Sequence, residues 1–326
     1  MSAILSMPPV YYDALKRLTA QVAGVVLDDD YPFTIETRLS VLARVEGYPS
    51  LVDMVQTMFK SGDSRLAIKM VAAMLRRDTH FFGDRGSLSS LSDFILPRLY
   101  DVQKTRPVKI LIVGSNSGQE AYSAAILVDK LKQTSCPDLT VEFTAIDYPS
   151  LAMERAKSGR YTHFDVQRGL AARDMLSYFT RIGEDWIVNE NLRQQITFKE
   201  THLLRLPKNL GRFHAIICRN IMSRFEPKVQ IKFIRKIAGH IKSQGYLLVG
   251  SGESLPRTVH PWIESGGPNH VHIRAKTEAE LRAEEERARM ERKLLAPVPE
   301  RFFDDTVVEE ETEKESLIDL LNLRTA

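Results

Sequence analysis

Ile110-Leu111-Ile112-Val113-Gly114-Ser115-Asn116-Ser117-Gly118-Gln119-Glu120 is the stretch that decides the fold. Its opening apolar residues predict a strand buried on both faces. The small residues after Val113 predict a turn bounded by Gly114 and Gly118, and Glu120 to Leu131 predicts a helix. In such a turn, backbone amides can come close to a ligand, and the helix N-terminus favours polar or negative groups. The spacing is neither GxGxxG nor a Walker loop, because Gly114 and Gly118 are four apart and no Gly-Lys-Ser/Thr follows. A strand-turn-helix in any α/β domain has the same form, so the stretch alone leaves open whether it holds a ligand.

Working outward, further apolar runs read as strands: Val108–Val113, Val141–Ile146, Gln195–Phe198, Phe213–Cys218 and Tyr246–Val249. Helical patterns lie between them, notably Val229–Ile241. Alternating strands and helices predict an α/β domain, a parallel sheet covered on both faces. The long interval from Tyr161 to Glu200 holds three short clusters, around Phe179, Ile187 and Thr197, which predict a small strand insertion. Residues 1–90 read as helical, with Leu15, Leu18, Val22 and Val25 at helical spacing and Ser50 placed to cap a helix carrying Leu51, Met54, Val55 and Met58. Residues 276–326 form a third region: a charged run from Glu278 to Lys293, a Pro- and Glu-rich linker, and an apolar end at Ser316–Leu323. That end reads equally as a docking helix for an unassigned protein partner or as a segment covering its own body.

Composition narrows the class. The chain has 326 residues, 43% apolar and 27% charged, which excludes a disordered or fibrous protein. No apolar run approaches the ~20 residues that span a bilayer, and the first residues lack a secretory pattern. Cys136 and Cys218 form no disulfide framework or metal knuckle and fit a reducing cytoplasm. The histidines show no metal spacing, so no metal is expected. Residues 276–315 carry 8 Lys/Arg against 14 Asp/Glu, and the net charge of +3 therefore leaves +9 on residues 1–275. A basic body suits an acidic partner, although a solvated surface with a chance excess reads the same way. No aromatic-basic stacking pattern points to nucleic acid.

Two other strand ends add to the first. Asp147 follows the Val141–Ile146 strand, where a carboxylate can accept hydrogen bonds from ribose hydroxyls. It lies farther on than the ~20 residues of a nicotinamide fingerprint, and it reads equally as a helix cap. Cys218-Arg219-Asn220 ends another strand, where Asn220 offers a donor and an acceptor or simply makes a turn. Three such ends in one sheet define one crevice and favour an adenosine-type ligand.

These residues, with Thr79-His80-Phe81-Phe82, Ile95-Leu96-Pro97-Arg98-Leu99, Ala156-Lys157-Ser158-Gly159-Arg160-Tyr161 and Gly250-Ser251-Gly252-Glu253-Ser254-Leu255, resemble the chemotaxis receptor methyltransferases, the CheR family, over about residues 10–256. The resemblance implies a Rossmann-like methyltransferase sheet with a small inserted β-subdomain near 161–200, within a domain spanning 91–275, after an all-helical domain spanning 1–90. It implies S-adenosylmethionine as cofactor and glutamate side chains of chemoreceptor cytoplasmic helices as substrate, the products being a methyl ester and S-adenosylhomocysteine. By resemblance, Thr79, Gly114, Gly118, Gln119, Glu120, Asp147, His202, Leu203, Asn220 and Ile221 line the donor pocket.

Several positions depart from the family pattern. Gly83 stands where the family has Arg, Gln119 where it has Glu, His202 where it has Asn, and Arg224 where it has Tyr. Arg224 or Arg85 is therefore the candidate orienter of the substrate carboxylate. A non-catalytic regulatory or scaffold member is the alternative reading.

Overall fold

Proline and glycine set the limits of the first helix. In the computed structural model, which describes residues 7–27, 32–75, 79–103, 106–255 and 262–295, α1 (Pro9–Ala23) starts with proline in its first turn and ends at Gly24 in the left-handed region. α2 (Pro32–Val45) follows. α3 (Leu51–Ser61) is capped by Ser50, whose hydroxyl accepts the Asp53 N–H at 3.1 Å. α4 (Ser64–Met74) is capped by Asp63 in the same way. Apolar faces bearing Leu15, Leu39, Met54 and Met70 are fully buried in one core.

After Phe81 the chain enters a second core. α5 (Arg85–Ser90), a π-turn at Leu91–Ile95 and α6 (Leu96–Gln103) place Leu91, Ile95, Leu96 and Leu99 there. The buried apolar residues through Leu75 thus belong to the first core, and those from Phe81 to Leu99 to the second. The sheet separates the two cores. In β1 (Val108–Val113), Leu111 and Val113 face the first core while Ile110 and Ile112 face the second, the period-2 alternation of a strand covered on both sides.

The chain continues through α7 (Gln119–Thr134), β2 (Val141–Asp147), α8 (Leu151–Ser158), β3 (Arg160–Thr162), α9 (His163–Gln167), α10 (Ala172–Tyr178), β4 (Phe179–Ile182), β5 (Asp185–Val188), α11 (Glu190–Arg193), β6 (Ile196–Glu200), β7 (Phe213–Ile217), α12 (Pro227–Ala238), β8 (Ile241–Leu248), β9 (Trp262–Glu264) and β10 (Val271–Arg274). The main sheet has the order β6-β2-β1-β7-β8-β10-β9. Its first five strands are parallel, and β10 and β9 add antiparallel at one edge. The sheet is therefore Rossmann-like and mixed, not wholly parallel.

The insertion is a separate antiparallel sheet, β3-β5-β4, formed around the Phe179 and Ile187 clusters. The third cluster, Ile196–Glu200, joins the main sheet instead. Its register against β2, from Phe143↔Ile196 to Asp147↔Glu200, makes it a parallel edge strand beside the carboxylate at the end of β2. Ion pairs Arg155–Asp165 and Arg160–Asp185 brace the small sheet.

α1 leads onto the crevice end of the main sheet. Val25 bridges to Phe225, and the Glu226 N–H donates to the Gly24 carbonyl at 3.1 Å. Residues 277–326 form a second unit. Within it α13 (Glu278–Leu295) is a charged helix opened by a reciprocal Thr277–Glu280 cap. The linker and apolar end of the tail lie outside the described residues. Among the described residues, no helix is long and apolar enough to cross a membrane.

Candidate active site

Backbone strain marks one end of the sheet. Among the described residues Phe82, Asp84, Asn116, Asn220 and Gln244 are the non-glycine residues with positive φ. Four of these five flank the carboxyl ends of β1 and β7. Such conformations cost of order 1–3 kcal/mol each and persist only where their surroundings hold them.

The first loop is held by its own polar groups. Gly114 N–H donates to the Ile146 carbonyl at 2.8 Å, and Gly118 N–H to the Ser115 carbonyl at 2.8 Å. Thr79 and Ser117 hydroxyls both donate to the Gln119 side-chain oxygen, at 3.1 and 2.8 Å. Asn116 Nδ2 donates to the Thr79 hydroxyl at 3.3 Å. Gly114 has φ 74, and a Cβ there would lie 2.2 Å from Ile221 Cδ1. The missing side chain is what lets Ile221 rest on the loop.

Asp147 ends β2, 1% exposed, and Ser150 rather than Asp147 caps α8. Its carboxylate accepts the Asn116 N–H at 2.7 Å and the Tyr148 N–H at 2.7 Å. These two backbone donors fix the carboxylate in place at the end of the strand. Next to it the His202 ring meets Tyr148 edge-on at 5.2 Å. Burial, with help from Arg205 and Lys236, holds His202 below the ordinary histidine range.

Two charged residues support this end of the sheet. Arg219 is buried, and its guanidinium donates to Glu120 at 2.8 Å, to Ser87 Oγ at 3.1 Å and to the Gly83 and Asp84 carbonyls at 2.5 and 2.6 Å. It ties the first turn of α7 to the end of β7 and the start of α5. Burial raises the Glu120 carboxyl above its usual range, against the pull of Arg219. Glu253 accepts three backbone N–H groups: Asn220 at 2.7 Å, Gly250 at 3.0 Å and Ser223 at 3.1 Å. This holds Asn220 in its left-handed conformation. Gly250 is required beside it, because a Cβ would meet Asn220 Oδ1 at 2.5 Å.

A narrow cleft opens between the end of α1 and this end of the sheet, lined by Ala23, Val25, Leu75, Tyr148, Leu203, Asn220, Ile221 and Arg224 among others. Leu203, Asn220, Ile221 and Arg224 thus come together there. Thr79 and Gln119 belong to the loop network, and Glu120 faces Arg219. Arg85 stands apart: it is exposed, with its guanidinium on the Gly169 carbonyl at 3.0 Å. Arg219, Glu253 and Asp84 were not singled out from the sequence as site residues, although Arg219 and Glu253 lie within stretches that carry the resemblance.

Asp84 yields a prediction about acid stability. Burial raises its carboxyl, but hydrogen bonds from the Ser251 hydroxyl and amide, then the Arg219 charge, outweigh this and hold it below the usual carboxylate range. A lowered folded value contributes stability that is full above the unfolded value, about 3.9, and is lost as pH falls through the folded one. Ser251→Ala is expected to move the midpoint of acid unfolding to higher pH, read by circular dichroism. An unchanged midpoint would show that this hydrogen bond does not matter.

The family model described as "CheR methyltransferase, SAM binding domain" matches residues 77–269. A chemotaxis protein methyltransferase of Vibrio parahaemolyticus is 31% identical over 258 residues, covering 78% of this chain and 92% of the relative. Chemotaxis protein methyltransferase 1 of Vibrio cholerae is 30% identical with the same coverage. Chemotaxis protein methyltransferase 1 of Pseudomonas aeruginosa is 28% identical, covering 75% of this chain and 90% of the relative.

Proposed function

Because the chain belongs to the CheR methyltransferase family, we propose that it transfers methyl groups from S-adenosylmethionine to glutamate side chains of chemoreceptor cytoplasmic domains. The observation that carries this reading is the cleft at the sheet's carboxyl end, where Leu203, Asn220, Ile221 and Arg224 meet beside Tyr148, the residue that follows Asp147. The relatives' names place the reaction in chemotaxis, and a cytoplasmic location goes with that reading.

The residues present fit the donor. Asp147 places a carboxylate, a group that accepts from ribose hydroxyls, at the end of β2. Ser115 Oγ, in the loop beside it, is buried with no hydrogen-bond partner among the described residues, and so is placed to meet a polar ligand. Bound S-adenosylmethionine supplies a methyl group on a positively charged sulfur, open to displacement by a carboxylate.

The chain's own residues do the rest. Asp147 holds the ribose, and Asn220 and Ile221 flank the adenosine or methionine part. Thr79, Gln119 and Glu120 form the loop side with Gly114 and Gly118, and His202 and Leu203 the facing wall. A glutamate side chain is ionised near pH 7, so no general base is required. What remains is to strip water from that carboxylate and align it, and orientation of this kind supplies up to ~7–11 kcal/mol. Arg224, exposed at the cleft, has the forked donor geometry for a carboxylate. The +9 charge of residues 1–275 favours approach of a glutamate-rich partner.

Calorimetric titration tests the donor site. S-adenosylhomocysteine is expected to bind at micromolar concentration, one per chain, and Asp147→Ala to weaken it about tenfold or more, since hydrogen bonds to a charged group contribute about 1.5–3 kcal/mol. No binding at millimolar ligand would refute the proposed site.

A further inference from the structure

Lys242 lies at the opposite end of the sheet from the cleft, where the strands begin. β7 and β8 pair at Phe213↔Ile241 and again at Ala215↔Tyr246. His214 alone on β7 therefore faces Lys242, Ser243, Gln244 and Gly245 on β8. The extra residues bulge out, with Gln244 at φ 58.

The hydrogen bonds in this bulge assign protons. His214 is buried, and its Nδ1 accepts the Lys109 backbone N–H at 2.8 Å. A backbone N–H can only donate, so Nδ1 bears the lone pair and the proton of the neutral ring sits on Nε2. Turning the ring over would set a carbon against the Lys109 N–H. Lys242 Nζ lies 2.8 Å from Nε2. An ammonium there would set donor against donor. The contact is a hydrogen bond only when Lys242 is the neutral amine and accepts from Nε2–H.

The surroundings favour that state. Burial, then Lys242 and Lys109, hold His214 down to about 4, so the ring is neutral near pH 7. Burial, then Lys109 and Arg106, likewise push Lys242 below the usual lysine range. Glu142 on β2 lies on the Lys109 side, 3.5 Å from its ammonium. Lys242 is half-buried, so a small reagent can reach its nitrogen.

We propose that Lys242 is a nucleophilic lysine, modified on its side-chain nitrogen by acyl phosphates. A neutral amine beside other cations is the arrangement that activates lysine nucleophiles. Arg106 and Lys109 attract the anionic donor. Rotation about the last side-chain bond frees the Nζ lone pair, which attacks the acyl carbon. The N–C bond forms, the bond from that carbon to the phosphate oxygen breaks, and phosphate leaves with the electron pair. The surplus proton on nitrogen passes to phosphate, leaving a neutral amide and an uncharged side chain.

Residue-resolved mass spectrometry of the full chain tests this after brief exposure to acetyl phosphate, and separately to a neutral acetyl donor such as acetyl N-hydroxysuccinimide, across a pH series. Each unit by which a lysine's titration falls raises its amine fraction about tenfold near neutral pH. Lys242 is expected to be acetylated several-fold faster than the exposed Lys199, Lys228 and Lys232 with both donors. Its rate should level off at lower pH than theirs. His214→Glu, which accepts from the Lys109 N–H and holds Lys242 charged, should abolish the lead. Equal rates and a shared pH profile for all four lysines would overturn the proposal. A lead with acetyl phosphate alone would also overturn it, since it would reflect attraction of the anion and not a neutral amine.

Discussion

Arg219→Ala is expected to destabilise the protein by about 3–5 kcal/mol, the cost of leaving a buried charge without its partner. Glu120, already raised by burial, loses the guanidinium that opposes this. The Ser87 hydroxyl and the Gly83 and Asp84 carbonyls lose their donor at the same time. The pH dependence separates these losses. Without Arg219 the Glu120 carboxyl binds its proton more tightly in the folded state than in the unfolded one. The stability deficit should therefore be smaller at the lower of two pH values than at the higher. Arg219→Lys keeps a charge but not the fork, and should fall between wild type and alanine. Denaturant unfolding at the two pH values measures this. A deficit under about 1 kcal/mol, or one independent of pH, would mean the pair does not brace the site.

Arg224→Ala is expected to lower methyl transfer about a hundredfold, the scale of loss when a reacting group is misplaced by about 1 Å. S-adenosylhomocysteine affinity should change little, because the Asp147 carboxylate and its two backbone donors stay in place. Arg85→Ala should be close to neutral for transfer, because that guanidinium is engaged with the Gly169 carbonyl. Steady-state methylation with each variant reads both effects. Wild-type rates for Arg224→Ala would remove it as the orienting group, and a large loss for Arg85→Ala would transfer the role there.

What was legible in the sequence is what local pattern controls. The run Val108–Val113 reads as a buried strand because every neighbour it needs is apolar, and the strand has those bounds. Ser50 reads as a cap because capping is decided within three residues. β9 and β10 escaped notice because they are short and recruited by pairing with β8 at an edge, with little apolar pattern of their own. β8 begins before Tyr246 because the Lys242–Gly245 bulge hides its first residue. Ile196–Glu200 was grouped with the insertion because its partner, β2, lies far back in the chain.

The site divides along the same line. Asp147 and Asn220 were visible as polar residues at strand ends. The supporting charges were not, since a buried Arg or Glu shows itself only through its partners. Arg219 meets Glu120 across 99 residues of sequence, and Glu253 meets Asn220 across 33. Nothing in a local window records either contact.

The most direct test of glutamate methylation is mass spectrometry of a purified chemoreceptor cytoplasmic fragment incubated with this protein and S-adenosylmethionine. Peptides heavier by one methyl group are expected, with the modification on glutamate side chains and lost in mild base, as an ester is. A fragment that stays unmodified at every glutamate, while the protein still binds S-adenosylhomocysteine, would contradict that expectation.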